Sequence, residues 1–145
     1  MAERATEQIT IDAPSERVFD ELLDFDRYPE WAADIKEVEV EERDDDGRGT
    51  SVRYRTAAMG QSARYTLAYD YSDAPHSMAW KLVEGNIMRV LDGSYTFDAA
   101  DGGTLVTYHL EVELLIPMPG FVKRRAEAKI MGTALRELKR RVEST

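Results

Sequence analysis

The chain has 145 residues, a net charge of −9 and no cysteine, and 43% of its residues are hydrophobic. This length and composition fit one soluble globular domain, over residues 1–145, that buries a sizeable core. The absence of cysteine excludes disulfides and thiolate chemistry. Because there is neither a long apolar run nor an N-terminal apolar segment, we expect no stable membrane insertion, no signal peptide and a cytoplasmic location.

The charge is unevenly distributed along the chain. Residues 121–145 carry eight basic and three acidic side chains, whereas the rest carries eleven basic and twenty-five acidic ones. An acidic protein is a poor general binder of nucleic acid, because phosphate contacts supply most non-specific affinity. The basic segment fits either an acidic partner or anionic lipid, or a solvated face that complements the acidic remainder. We favour the solvated face.

The first 31 residues predict a strand followed by two short helices. Residues 4–11 alternate weakly and form the first strand. Asp12 or Ser15 is suited to cap the helix that follows. Its apolar residues recur at helical spacing: Val18, Phe19, Leu22 and Leu23. The aromatic segment 25–31, interrupted by Pro29, predicts a second short helix or turn.

Six strand-like runs separated by turns follow between residues 35 and 115. Each run alternates apolar and polar side chains, which is typical of antiparallel strands with one buried face. The runs are 35–43, 50–58, 63–71, 78–84, 87–97 and 105–115. Met59-Gly60-Gln61 is one of the turns, and Asp44-Asp45-Asp46 is another. The aspartates lack the EF-hand spacing, so we predict a solvated hairpin tip rather than a metal site.

Gly85-Asn86 is a favourable two-residue hairpin turn and predicts a register. It pairs Leu82 with Arg89, Trp80 with Leu91 and Met78 with Gly93. In this register the apolar residues of both strands lie on the same face of the sheet, as a sheet with one buried face requires. The glycine inside the second strand predicts a bend or a close approach of backbones.

The C-terminal segment predicts one long amphipathic helix over residues 121–142. Pro117, Pro119 and Gly120 end the last strand, and the helix follows. Its apolar stripe is Ala128, Met131, Leu135, Leu138 and Val142. A single stripe needs one covering surface, so we predict an α+β fold. A seven-stranded antiparallel sheet wraps around the long C-terminal helix, with two short helices after the first strand.

One helix is too small to fill such a sheet, and we therefore predict a cavity between the two. Gly132 and Ala134 are small helix residues that would leave room. The predicted lining is Tyr54, Tyr69, Trp80, Arg89, Leu91, Tyr95, Tyr108 and Met131. Arg89 would be its principal charge, satisfied by Glu84, tyrosine hydroxyls, water or a ligand. The alternative is an ordinary aromatic core in which Arg89 pairs with Glu84.

No catalytic or metal-binding pattern stands out. His76 lies in a turn and His109 has outward parity, so neither is expected to matter for function. There is no Ser-His-Asp set, zinc spacing, P-loop or dinucleotide fingerprint, and we predict no metal and no cofactor. Acid–base chemistry would have to use tyrosines, Arg89 or Glu84.

Several segments resemble the START-like superfamily (SRPBCC), which includes birch-pollen-allergen-like, polyketide cyclase/dehydrase and coenzyme-Q-binding proteins. They are Ile11-Asp12-Ala13-Pro14 with Val18-Phe19, Phe25-Asp26-Arg27-Tyr28-Pro29-Glu30-Trp31, Gly93-Ser94-Tyr95-Thr96-Phe97 and Pro119-Gly120-Phe121. The resemblance covers essentially the whole chain. It implies a helix-grip fold with a deep apolar cavity, and catalysis only in some branches. No catalytic motif is available for transfer.

Three functions remain open at this point. The first is binding or transport of a hydrophobic small molecule, such as a lipid, quinone or polyketide, in the cavity. The second is a polyketide aromatase/cyclase that uses the same cavity, with Arg89 and tyrosines as guides. The third is a protein-interaction module. We rank binding first because no proton-transfer set is apparent, and the oligomeric state stays open.

Overall fold

The computed structural model describes residues 3–58, 61–115, 117 and 119–144. Met59 and Gly60 of one predicted turn, and Ile116 and Met118 before the long helix, lie outside this range. The elements are β1 (Glu3–Ile11), α1 (Ser15–Leu23), a 3-10 turn (Phe25–Arg27), α2 (Tyr28–Trp31), β2 (Ile35–Arg43), β3 (Gly49–Ala58), β4 (Gln61–Asp70), β5 (Ser77–Gly85), β6 (Met88–Ala100), β7 (Gly103–Leu114) and α3 (Gly120–Glu143). The predicted element order is confirmed.

The seven strands form one antiparallel sheet in the order β1-β7-β6-β5-β4-β3-β2. Strands that are consecutive from β2 to β7 are therefore neighbours, as short hairpin connections require. The N-terminal strand completes the sheet by pairing with the last one, from Glu3 opposite Val112 to Ile11 opposite Thr104. The predicted seven-stranded sheet is confirmed.

The start of α1 differs from the prediction. Pro14 occupies the N-cap position, and no side chain caps the helix. Ser15 is already the first helical residue, so neither it nor Asp12 is the cap. The helix is held instead by its apolar side, on which Val18 and Leu22 are almost completely buried.

The long helix α3 begins directly after Pro119, which is its N-cap. Met131, Leu135, Leu138 and Val142 are buried, as predicted. The prediction for Ala128 is wrong, because this residue is exposed while Ala126 and Glu127 are buried. Ala126 and Ala128 lie about 200° apart around a helix, so the side that buries the first exposes the second.

The two halves of α3 are held differently. In the C-terminal half, Arg141 forms ion pairs with Glu30 at 3.1 Å and Glu21 at 3.5 Å. Lys139 Nζ donates to the Thr10 carbonyl at 2.7 Å, and the Asp12 amide donates to Glu143 at 2.8 Å. These contacts fasten the end of the helix to β1, α1 and α2.

The N-terminal half of α3 has a different link to the sheet. Here Lys123 Nζ donates to the Leu114 carbonyl, at the end of β7, over 3.0 Å. In the described part of the chain, no helix is both long and apolar enough to span a membrane.

The register between β5 and β6 differs from the prediction by two residues. Trp80 lies opposite Gly93, and Met78 lies opposite Tyr95. A slip of two residues keeps every side chain on its face, so alternation alone could not detect it. The hairpin turn therefore consists of Asn86 and Ile87, between Gly85 and Met88.

Gly93 allows a close approach, as its place inside a strand predicted. A Cβ atom at this position would lie 2.5 Å from the His109 carbonyl oxygen and 2.7 Å from Cζ2 of Trp80. The Trp80 ring therefore lies across β6 at this residue. Its position would be blocked by any side chain on Gly93.

Arg89 does not lie on the inner face, and this prediction is wrong. A bulge between Met88 and Val90 inserts Arg89 as an extra residue in β6. The bulge resets the alternation, so Met88 is buried and 71% of the Arg89 side chain is exposed. Arg89 pairs with Glu113 at 3.3 Å rather than with Glu84.

Candidate ligand-binding site

The inner face of the sheet carries a continuous cluster of aromatic rings. Ring centroids lie 5.3 Å apart for Tyr54 and Tyr65, and 5.8 Å apart for Trp80 and Tyr108. Tyr95 and Tyr108 are closer still, at 4.7 Å. The alternation of the strands directs all these rings to one side, because successive side chains point to opposite faces.

Seven of the eight predicted lining residues come together in this cluster. The buried members are Tyr54, Trp80, Tyr108 and Met131, and the half-buried ones are Tyr69, Leu91 and Tyr95. The eighth, Arg89, lies outside it. That these residues contact a ligand stays a prediction.

Burial is uneven along the inner face. Next to α1 and α2 the inward side chains are tightly enclosed, and Val52 and Val106 have no exposed surface. Toward the other end, the inward residues of four successive strands retain part of their accessible surface. These residues are Tyr65 on β4, Leu82 on β5, Leu91 on β6 and Leu114 on β7.

The tyrosine hydroxyls of the cluster are neutral groups. Burial is the main cause that raises the pKa values of Tyr54, Tyr69, Tyr95 and Tyr108 above the ordinary tyrosine value. Two of the hydroxyls satisfy each other, with 2.6 Å between the Tyr54 and Tyr69 oxygens. The structure records no hydrogen bond from the Tyr95 or Tyr108 hydroxyl to another described residue.

The groups considered for acid–base chemistry lie elsewhere. Glu84 and Arg89 are exposed. His76 is exposed in its turn, and His109 is on the outer face, where Nδ1 lies 3.0 Å from the Thr6 hydroxyl. Within the described residues, no group of three or more His, Cys, Asp or Glu side chains is placed to hold a metal ion.

Sequence reasoning missed a carboxylate on the inward side of α3. Glu127 is 4% exposed and lies one helical turn before Met131, on the same side of the helix. That spacing of four residues was the available signal. It was overlooked because a glutamate in a basic segment suggests a solvated position.

An open cleft of about 640 Å³ lies on the opposite, outer face of the sheet, where Arg4, Lys81, Asp92 and His109 are among its lining residues. Its walls carry charges of both signs. Its lining also includes Tyr69 and Trp80, so the cleft is formed by the same strands that carry the aromatic cluster.

Comparisons with known proteins agree with this architecture. A START superfamily protein from Mycobacterium smegmatis has a TM-score of 0.89 and 24% identity, with 97% of each chain covered. A protein from Thermus thermophilus has a TM-score of 0.82 and 25% identity, with 98% of each chain covered. The Zhui aromatase/cyclase from a Streptomyces species has a TM-score of 0.83 and 17% identity, over 99% of this chain and 94% of its own.

No curated protein sequence matches the chain. A family model described as polyketide cyclase/dehydrase and lipid transport matches residues 2–143. This match spans nearly the whole chain, and the solved structures share its helix-grip fold. The protein belongs to the polyketide cyclase/dehydrase and lipid transport family of the START-like superfamily.

Proposed function

We propose that the protein binds a hydrophobic small molecule between the inner face of the sheet and the N-terminal half of α3. The observation that carries this proposal is the pair Tyr95 and Tyr108. Both rings belong to the apolar cluster, yet among the described residues their hydroxyls have no recorded hydrogen-bond partner. Neither oxygen is among the fully enclosed polar atoms that lack a partner, so each keeps accessible surface at which a ligand oxygen can bind.

The half-buried rings support an enclosed space next to this pair. Tyr65 and Tyr95 retain accessible surface, but desolvation is the largest cause that raises their pKa values. Rings on an open surface would be solvated and would keep an ordinary pKa. Both rings are thus crowded by protein atoms without being fully covered, which fits the wall of a partly enclosed pocket.

The lining determines the class of ligand. Leu82, Leu91, Leu114 and the aromatic rings offer apolar contacts, and neutral tyrosine hydroxyls offer hydrogen bonds. With Arg89 outside, the lining that we propose lacks the fixed cation that would favour a free acid. The site therefore suits a largely hydrophobic molecule with a carbonyl or hydroxyl oxygen, such as a lipid, quinone or polyketide.

A polyketide aromatase/cyclase is the second candidate, and the buried position of Glu127 favours it. A carboxylate facing the interior could accept a proton from a bound substrate. We rank binding first because the tyrosines, with raised pKa values, are poor bases at neutral pH. A bound molecule recovered unchanged supports binding, and its conversion by the purified protein supports the cyclase.

The test fills the proposed space from the helix side. Ala134 packs against the apolar cluster, whereas Ala128 is exposed on the same helix. We expect Ala134→Phe to weaken binding of the neutral apolar fluorescent probe N-phenyl-1-naphthylamine by about tenfold or more, since the new ring occupies its volume. Ala128→Phe is the matched control and should bind as the wild type does.

The same probe-binding assay tests whether Arg89 lies outside the ligand site. Because this side chain is exposed, Arg89→Met should leave probe affinity within about a factor of two. Mass spectrometry of the gently purified protein would identify any molecule that co-purifies. Equal probe binding by the wild type and Ala134→Phe, with no co-purified molecule, would reject the interior site and favour the protein-interaction module.

A further inference from the structure

The exposed hydrophobic side chains are concentrated at one place. In the described part of the chain, four large hydrophobic residues are exposed: Val83 at 63%, Phe121 at 60%, Leu115 at 49% and Val122 at 36%. Three of these follow β7 or begin α3. Single exposed apolar residues need no explanation, but a group of them marks an interaction site.

Contacts of the neighbouring backbone join these residues into one surface. The Leu115 amide donates to the Ile87 carbonyl at 2.7 Å, which places the end of β7 against the β5–β6 hairpin. Lys123 Nζ reaches the Leu114 carbonyl at 3.0 Å, which places the first turn of α3 beside the same strand end. We call the surface formed by Leu115, Phe121, Val122, Arg125 and Lys129 the α3 entry surface.

The α3 entry surface is also strongly basic. From Leu114 through Arg136 the sequence has five basic residues and one acidic residue, the buried Glu127. At 100° per residue, Phe121, Arg125 and Lys129 follow one another along one side of the helix, and all three are exposed. One apolar and two cationic side chains therefore share the same outward face.

The position of these cations is unfavourable for the helix itself. The first turn of α3 has no acidic residue, and Lys123, Arg124 and Arg125 lie close to its positive N-terminus. Cations destabilise this end of a helix through the macrodipole. Lys123 has a structural partner in the Leu114 carbonyl, whereas no ion pair is recorded between Arg125 and another described residue. A cation placed against the macrodipole without such a partner points to a functional role.

We propose that the α3 entry surface docks the protein onto an anionic lipid bilayer. Phe121, Val122 and Leu115 would enter the boundary between headgroups and acyl chains, and Arg125 and Lys129 would contact lipid phosphates. The charge argues for this partner, because the remainder of the molecule is acidic and would be repelled by the same membrane. The surface thus fixes the orientation as well as the attachment.

The α3 entry surface lies at the end of the sheet where several inner-face residues keep accessible surface. The inner-face residues that retain accessible surface, Leu82, Leu91 and Leu114, belong to the same end of the sheet as the β5–β6 hairpin and the start of α3. A docked molecule would present this end to the bilayer. The inference goes beyond the proposed ligand binding and does not depend on it, because the docking residues lie outside the apolar cluster.

The experiment is co-sedimentation with vesicles of phosphatidylcholine, prepared with and without phosphatidylglycerol. We expect binding to be at least about tenfold stronger with the anionic lipid and to weaken as salt is added. Phe121→Ser and Arg125→Glu should each reduce it by about fivefold or more. Both residues are exposed, so unchanged thermal unfolding should verify that the variants are folded.

The matched control is Arg140→Glu, which makes the same charge change on the same exposed side of α3. Arg140 lies fifteen residues after Arg125, roughly 22 Å along the helix. It should leave vesicle binding unchanged. An equal loss in Arg140→Glu would mean that the whole basic face binds, and the assignment to the α3 entry surface would be wrong.

Two further outcomes would overturn the proposal. One is wild-type protein that binds neither kind of vesicle at low salt. The other is a dimer, detected by light scattering, that Phe121→Ser dissociates while vesicle binding is absent, because the surface would then join two copies. Ala134→Phe should still bind vesicles, and this separates a failure of docking from a failure of ligand binding.

Discussion

At the scale of single residues, the tyrosines determine the chemistry of the interior. All seven have pKa values above the ordinary one, and burial is the first cause in each case. They are therefore hydrogen-bonding groups without charge. A neutral hydroxyl near an apolar ring can recognise a carbonyl oxygen at a much smaller desolvation cost than a buried charge.

The raised pKa values predict how stability depends on pH. Above about pH 10 an unfolded tyrosine loses its proton while the folded one keeps it, so the folded state binds more protons. The contribution of the tyrosines to the free energy of unfolding should therefore be constant below about pH 10 and should fall as the pH rises further. We expect phenolate absorbance at 295 nm to appear together with the loss of circular dichroism, in one transition. Tyrosines that ionise near pH 10 in the folded protein would contradict their burial.

Sequence reasoning at this scale succeeded wherever simple alternation held. Tyr54, Trp80 and Tyr108 lie on the inner face, because no bulge interrupts the alternation of their own strands at these positions. Arg89 failed because one inserted residue inverts the alternation, and no local sequence signal marks a bulge without glycine. Glu127 has the helical spacing of an inward residue relative to Met131, but a carboxylate is rarely expected on a buried face, so no prediction was made for it.

At the scale of elements, two glycines differ in what a side chain at their position would meet. Gly93 lies where two strands and an indole ring converge, so its missing side chain is a packing requirement. Gly132 lies on α3, where a Cβ atom would meet the guanidinium end of Arg136 at 3.0 Å. The mobile end of an exposed arginine can move aside, whereas the His109 carbonyl and the buried Trp80 ring cannot.

The prediction at this scale compares the same substitution at these two sites. Gly93→Ala should lower the free energy of unfolding by about 1–3 kcal/mol or more, because backbone and indole must shift. Gly132→Ala should raise it by roughly 0.5–1 kcal/mol, because alanine favours the helix. Urea unfolding of both variants measures the difference. A neutral Gly93→Ala would mean that Trp80 does not lie across β6.

Strand boundaries could be predicted more reliably than strand pairing. Each strand is bounded by local turn residues, such as Asp44–Gly49, and the predicted 35–43 strand coincides with β2 (Ile35–Arg43). Pairing between β5 and β6 depends on the packing of Trp80 over Gly93, a contact between residues thirteen apart. The faces stayed correct because the error was an even number of residues.

At the scale of the whole molecule, one end is closed and the other is less constrained. α1, α2 and the C-terminal half of α3 enclose the fully buried residues, and the ion pairs of Arg141 hold them together. Toward the start of α3, Leu82, Leu91 and Leu114 are half-buried, although Met88 and Val112 beside them are buried. Backbone pairing recorded between β5 and β6 ends at Trp80 and Gly93. Beyond that point the Leu82 amide donates to the Asp92 carboxylate at 2.9 Å.

This asymmetry predicts a gradient of local stability that hydrogen exchange can measure. The amides of residues 83–85 and 88–91 that point into the gap between β5 and β6 should exchange faster than the amides of residues 77–80 and 93–96 that lie between the same two strands, where these pair. β4 and β7 flank the region and remain paired, so the difference reports the gap rather than fraying of the sheet. An apolar molecule entering at this end would slow exchange there and leave the α1 end unchanged. Equal protection along both strands would show that the sheet is continuous at this point, and ligand entry would then require another route.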